Sequence, residues 1–387
     1  MSISRNVCTL AFLFISIFQL VSNDLASAGD PTPVAIVRTG QRELQVRTFD
    51  GLRVQVSSEA TSEPSDPREL LRVGIGQTLD HCLFRLPNQD GVLWLQKDVM
   101  EIADQPPASL IQVDGAAGLL TMKCDQACLV FWDGQGTPEF PSCDLLVVLP
   151  GDGSATEEFW SEIAKAPARK ILYLSDLNAD DVPAALGQPR QIAHHTMAVV
   201  GTGAVEKPAA TEAKPGDLIV LGSEAWEMPA DLQDAFNRMG AANRESQKVF
   251  QPLSVQQMNF RPGNGTHTPR WNTEHMMGRQ LLFFSQIFHE VDPEVPVLDW
   301  NPKQNPEDYV ADHSDWNGYE EARRMENVQR FTQQFSYLLD GMPLDRRAKG
   351  SRWPTLSALL KQMERHYQEH TANTVAKMKL PDWPSGE

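Results

Sequence analysis

A chain of 387 residues, 41 % hydrophobic and 22 % charged, can bury a sizeable core and is neither collagen-like nor broadly disordered; two domains are the expectation at this length. Lys and Arg total 34 against 51 Asp and Glu, and the formal charge of -17 repels a phosphate backbone, which argues against nucleic acid as a partner. The 27 prolines and 25 glycines are spread along the chain, which speaks for many turns and against a long coiled coil.

Residues 1–28 read as a signal peptide. Arg5 supplies a short positive n-region, Val7 to Val21 is an almost unbroken apolar run, and Leu25-Ala26-Ser27-Ala28 ends in the small-x-small pattern that signal peptidase accepts. The run is shorter than the roughly 20 residues that span a bilayer, so cleavage after Ala28 and export to the periplasm or extracellular space are expected. Cys8 lies inside the run and not at the cleavage point, which argues against a lipoprotein. No later stretch is long enough to span, so no membrane contact is expected after cleavage. Export would leave Cys82, Cys124, Cys128 and Cys143 where disulfides are permitted; one or two bridges and buried free thiols both stay open.

Residues 29–225 read as a β-rich α/β sandwich domain. Val34 to Val37, Leu44 to Thr48 and Leu52 to Ser57 are short β-branched runs broken by Gly40 and by Asp50-Gly51, a hairpin signal. Gly91-Val-Leu-Trp-Leu, Cys128-Leu-Val-Phe-Trp, Asp144-Leu-Leu-Val-Val-Leu, Lys170-Ile-Leu-Tyr-Leu, Met197-Ala-Val-Val and Asp217-Leu-Ile-Val-Leu are continuous apolar runs, as expected of strands covered on both faces. Between two of them, Phe159, Ile163 and Ala166 have helical spacing, and Pro167 stops that helix. His194-His195 is read as an adjacent strand pair pointing to opposite faces, unable to converge on one ion. Residues 206–216, rich in Pro, Ala and charge, read as a long loop.

The turn at Val73-Gly-Ile-Gly, the strand from Gly91 and the run Asp144-Leu-Leu-Val-Val-Leu-Pro resemble the metallo-β-lactamase sandwich. Where that family carries its His-x-His-x-Asp-His ligands, this chain has Pro150-Gly-Asp-Gly-Ser-Ala, so the hydrolase chemistry does not carry over.

After Met228-Pro229 the period changes. Leu232, Phe236, Met239 and Val249 form one helical stripe; Trp271, His275, Gly278 and Leu282 a second; Tyr319 through Leu338, stopped by Gly341, a third; Leu356, Leu359, Met363, His366 and His370 a fourth. Residues 226–387 are therefore expected to form an up-down four-helix bundle, and the whole chain to be a two-domain α+β protein. His366 and His370 lie four residues apart on one helical face, where both imidazoles can reach one ion at about 2.0 to 2.1 Å. Tyr367 stands where a zincin would carry its general-base Glu, so that mechanism is excluded. His275 shares its face with Trp271 and Gly278, and Gly278 lets a neighbouring helix approach, so His275 is the candidate third ligand.

The leading helix, the loop ending in Arg261-Pro-Gly, the stretch Pro269-Arg-Trp271-Asn-Thr-Glu-His275-Met-Met-Gly, the long middle insertion and the His-x-x-x-His of the last helix resemble the DinB/YfiT-like four-helix bundle superfamily. That resemblance implies a divalent metal of nickel or zinc type on three histidines, two of them matched by His366 and His370. The family's remaining ligand lies two turns after the motif tryptophan, which is Arg279 here; the histidine comes one turn earlier, at His275. Relatives that act as thiol-dependent S-transferases or isomerases depend on a cytosolic thiol, whereas metal-assisted hydrolysis suits an exported protein, with Glu274 or Glu369 as candidate base.

Two function classes follow: a metal-dependent hydrolase or transferase acting on a small-molecule substrate, and a non-catalytic binding or structural protein with a degenerate metal site. A dimer stays open. Residues 291–317, with Pro293, Pro296, Pro302, Pro306, Trp300 and Trp316, are expected to make an ordered excursion over one bundle end, either as a lid that sends Asp312 or His313 into the site or as a surface packing loop.

Overall fold

The structure, a computed structural model, describes residues 32–58, 71–75, 77–85, 92–96, 110–116, 118–124, 126–150, 156–174, 182–183, 186–201, 217–263, 265–300 and 309–385. The signal-like segment, the 206–216 loop, residues 151–155 and residues 301–308 lie outside the described residues.

In chain order the strands are β1 (Val34–Arg38), β2 (Glu43–Arg47), β3 (Arg53–Ser57), β4 (Leu71–Gly74), β5 (Leu79–Arg85), β6 (Val92–Gln96), β7 (Leu110–Ala116), β8 (Leu119–Cys124), β9 (Ala127–Trp132) and β10 (Cys143–Val148). Helix α1 (Glu157–Lys165) carries the chain to β11 (Ala168–Tyr173), and β12 (Arg190–Ile192), β13 (Thr196–Val199) and β14 (Asp217–Leu221) complete the set. The helical half comprises α2 (Ala230–Phe250), α3 (Val255–Met258), α4 (Pro269–Val291), α5 (Gly318–Gln334) and α6 (Leu356–Lys377), with a 3-10 turn at Ser336–Leu339.

Two sheets form. One has the order β13-β1-β2-β3-β4, the other β12-β14-β11-β10-β9-β8-β7-β5-β6. The second is mixed: β12, β14, β11, β10 and β9 run parallel, while β9, β8, β7, β5 and β6 pair antiparallel. The Asp50-Gly51 signal is the β2–β3 turn, with Gly51 at φ 90 and Thr48 N–H donating to Leu52 O at 3.0 Å.

The period-2 alternation of strands decides the layers. Val34 and Ile36 of β1 face the nine-stranded sheet, while Ala35 and Val37, with Phe49 and Ala198, pack against the long helices. In β9 and β10, Leu129, Phe131, Leu145 and Val147 point inward, and Val130, Trp132, Leu146 and Val148 point outward beneath Trp160 and Ile163 of α1. The order is long helices, five-stranded sheet, nine-stranded sheet, α1. Cover on both faces explains why these runs are continuously apolar.

Helix starts follow side-chain capping. Thr268 accepts from Trp271 N–H ahead of Pro269 at N1, Asn317 accepts from Tyr319 and Glu320 N–H, and Thr355 accepts from Ala358 N–H. Helix α2 packs on α5 and α6, and α4 packs on the same two, around one shared apolar core. The third stripe ends earlier than its spacing implies. Helix α5 stops at Gln334, and the apolar residues up to Leu339 continue as a 3-10 turn that keeps them facing the core.

The excursion after α4 ties the halves together. Glu294 takes both Arg169 guanidinium nitrogens at 3.0 and 3.1 Å and Lys170 Nζ at 2.8 Å, and Phe49 meets Trp300 edge-on at 5.0 Å between ring centroids. His194 and His195 sit in a bend between β12 and β13 and not on a strand. His194 turns to Asp340 at 3.5 Å and His195 to Thr196, so the two do not converge. Among the described residues Cys82, Cys124, Cys128 and Cys143 form no disulfide; Cys128 is half-buried and the others are buried.

Candidate metal centre

Helices α4 and α6 pack side by side, and the four-residue spacing of α6 turns His366 and His370 toward His275 on α4. One ring nitrogen from each lies within 4.8 Å of the others. Among the described residues this is the one cluster of three or more histidine, cysteine, aspartate or glutamate side chains placed to share an ion. The rings touch edge to face, with centroids 4.7 Å apart for His275 and His366, 5.1 Å for His275 and His370, and 4.6 Å for His366 and His370.

Arg279, at the position where the resembled family carries its ligand, puts a permanent charge on the same helix as His275. Arg279 is half-buried one turn beyond His275, with Asp299 as its opposing charge. Its guanidinium still acts on the cluster. Burial, then His275 and His370, then Arg279 and Arg365 hold His366 down to about 3, and burial with His267 and Lys377 holds His370 down to about 4. Both rings are unprotonated at neutral pH and have lone pairs to give. His366 Nδ1 is buried with no hydrogen-bond partner, and a cation at the cluster would engage the ring that bears this orphaned atom.

Asn272 and His267, which the sequence reading did not single out, join Trp271 in holding the rings in place. Asn272 is fully buried on α4, and its Oδ1 lies 3.0 Å from His370 Nδ1. His267 stacks on the outer face of Trp271 at 3.6 Å, and Trp271 stacks on His275 at 4.4 Å, making a three-ring column. The 267, 271, 275 spacing was the available signal for His267. Its position ahead of the helix cap hid it.

The other candidates do not join the rings. Glu274 is buried, and its carboxylate accepts from Tyr309 O–H and Asp312 N–H, both at 3.0 Å, so it anchors the loop; burial and Glu274 push the Tyr309 phenol up. Glu369 is exposed beside Arg365. Asp312 pairs with Arg324 at 2.6 Å, and His313 stacks on Trp316 at 3.7 Å, so neither reaches in and the described part of the loop packs on the surface.

Compared with protein families, with curated proteins and with solved structures, the chain finds no match in any of the three. Among the described residues no helix is long and apolar enough to cross a membrane.

Proposed function

We propose that the helical half is a DinB-like up-down four-helix bundle in which His275, His366 and His370 hold a divalent metal ion of zinc or nickel type, and that the protein is an exported metal-dependent hydrolase or transferase of a small-molecule substrate. The observation that carries this reading is the convergence of three ring nitrogens, one each from His275, His366 and His370, within 4.8 Å. The low basicity of His366 and His370 and the orphaned His366 Nδ1 support it, because neutral imidazole is the form that ligates. With three protein ligands, such an ion would supply Lewis acidity at an open position. The protein's own residues do the rest: the His267–Trp271 stack walls one side of the rings, and Asn272 fixes the plane of His370. Export rests on Arg5, the apolar run to Val21 and the small residues before Gly29.

One observation favours a second reading, a metal-binding or structural protein without catalysis: neither Glu274 nor Glu369 stands at the rings to serve as base. Metal content of the purified secreted protein tests the first step. About one equivalent of metal, lost in both His366→Ala and His370→Ala, supports the metal centre; a stable, metal-free protein overturns it. Turnover of ester, amide or thiol substrates by the metal-loaded protein then separates enzyme from binder, and N-terminal sequencing that begins at Gly29 tests export.

A further inference from the structure

Lys377 ends α6 two turns beyond His370, and it is only 2 % exposed. Among the described residues no carboxylate forms an ion pair with it. Its ammonium instead donates to Asn373, to the backbone O at 3.4 Å and to the side-chain Oδ1. Burying an ammonium without an opposite charge is costly, so the use of that charge needs a reason.

We infer that Lys377 is a positioning residue for the three-histidine centre, acting through Asn373 and Asn272 to select the tautomer of His370 that leaves Nε2 free to ligate. The inference rests on reading that centre as a metal site. An ammonium has three donors and no acceptor, so it fixes Asn373 with its amide oxygen toward Lys377. The same Oδ1 accepts from Asn272 Nδ2 at 3.0 Å, and Thr374 Oγ1 accepts from that nitrogen at 2.9 Å. With its NH2 committed, Asn272 can offer only its carbonyl oxygen to His370 Nδ1 at 3.0 Å. His370 Nδ1 therefore carries the hydrogen and Nε2 keeps its lone pair. Asparagine amides and imidazoles can each be reversed within an uncommitted network, and Thr374 could serve as donor or acceptor. Lys377 alone in this chain of contacts has a fixed hydrogen-bond sense, and every later bond inherits its direction from it.

A merely structural or electrostatic role predicts something different. Removing a nearby positive charge should tighten binding of a cation, whereas removing the group that sets the tautomer should weaken it. Ring 15N shifts of the full mature, metal-free protein report the His370 tautomer directly, and zinc titration reports affinity. We expect Nδ1–H at His370 in the native protein, mainly Nε2–H with about one-tenth Nδ1–H in Lys377→Met, and a zinc affinity lower by about tenfold to match, the lower end of the usual outer-shell effect. Asn272→Asp added to Lys377→Met should restore Nδ1–H, because a carboxylate only accepts and Asn373 is then free to turn its NH2 toward it. Nε2–H at His370 in the native protein, an unchanged tautomer in Lys377→Met, or tighter zinc binding by that variant would each overturn the inference. The native-protein measurement stands even where Lys377→Met fails to fold. Failure of the native protein to bind zinc would count against the metal centre while leaving the tautomer result legible.

Discussion

The indole of Trp271 lies parallel to the imidazole of His275, ring centroids 4.4 Å apart and planes 11° from each other. His275 has its candidate partners on a different helix, and the stack on its own helix restrains its ring angle from the other side. Trp271→Leu should lower zinc affinity about tenfold, as loss of an orienting neighbour typically does, and reduce stability by about 2 to 4 kcal/mol through the vacated volume. Chelator competition reads the first and urea unfolding the second. Unchanged affinity would remove Trp271 from the centre.

Lys377 gives a pH signature. Burial lowers its ammonium from 10.5 to about 8, so between these values the folded protein sheds a proton that the unfolded chain keeps. The cost of the buried charge is complete below about pH 8 and is relieved as pH rises toward 10.5. The stability of the native protein relative to Lys377→Met should therefore rise across that window, by up to about 3 kcal/mol at its top. Urea unfolding at stepped pH checks it, and a flat or falling difference would contradict it.

Much of the layering could be read from the residues because the physical cause was local. Continuous apolar runs at Cys128 to Trp132 and Asp144 to Leu149 have to be covered on both faces, and the histidine spacing of α6 has to share one face. The antiparallel strands β7 and β8 were missed because their pattern alternates: Leu119–Cys124 has every second residue fully buried, which is a weaker signal than a solid run. Asn272 was illegible for another reason. Its role depends on which acceptors a second helix presents, and nothing near it in sequence encodes Asn373 or Thr374.

Glu294 meets Arg169 and Lys170 at once, across the join of sheet and helices, and its side chain is 16 % exposed. Those contacts hold its carboxyl below the ordinary range against the opposing effect of burial. Glu294→Gln takes the carboxylate from Lys170 and leaves Arg169 with Asp144, 3.6 Å from its Nε, and should cost about 1 to 3 kcal/mol. Hydrogen exchange should speed up at β11 and β13 ahead of the core of α6. Uniform acceleration along the chain would mean that the join is not where the contact acts.

Arg270 and Glu321 make a fully buried pair, 1 % and 0 % exposed by side chain, with Arg270 Nη1 2.7 Å from Glu321 Oε1. Arg270 also donates to Asn259 Oδ1 at 2.7 Å and to Trp316 O, and Thr273 O–H donates to Glu321 Oε2 at 3.1 Å. The pair thus fastens the first turn of α4 to the first turn of α5 and to both flanking loops. Desolvation of two charges offsets much of their attraction, so the pair adds little net stability, while loss of one partner strands the other in the core. Arg270→Met should cost about 3 to 5 kcal/mol, and Glu321→Leu a similar amount. The Arg270→Met/Glu321→Leu double variant should cost clearly less than the sum, because neither partner is then left stranded by loss of the other. A double-mutant cycle by urea unfolding measures the coupling. Additive losses would show that Asn259, Thr273 and the Trp316 carbonyl, and not the ion pair, carry the join between α4 and α5.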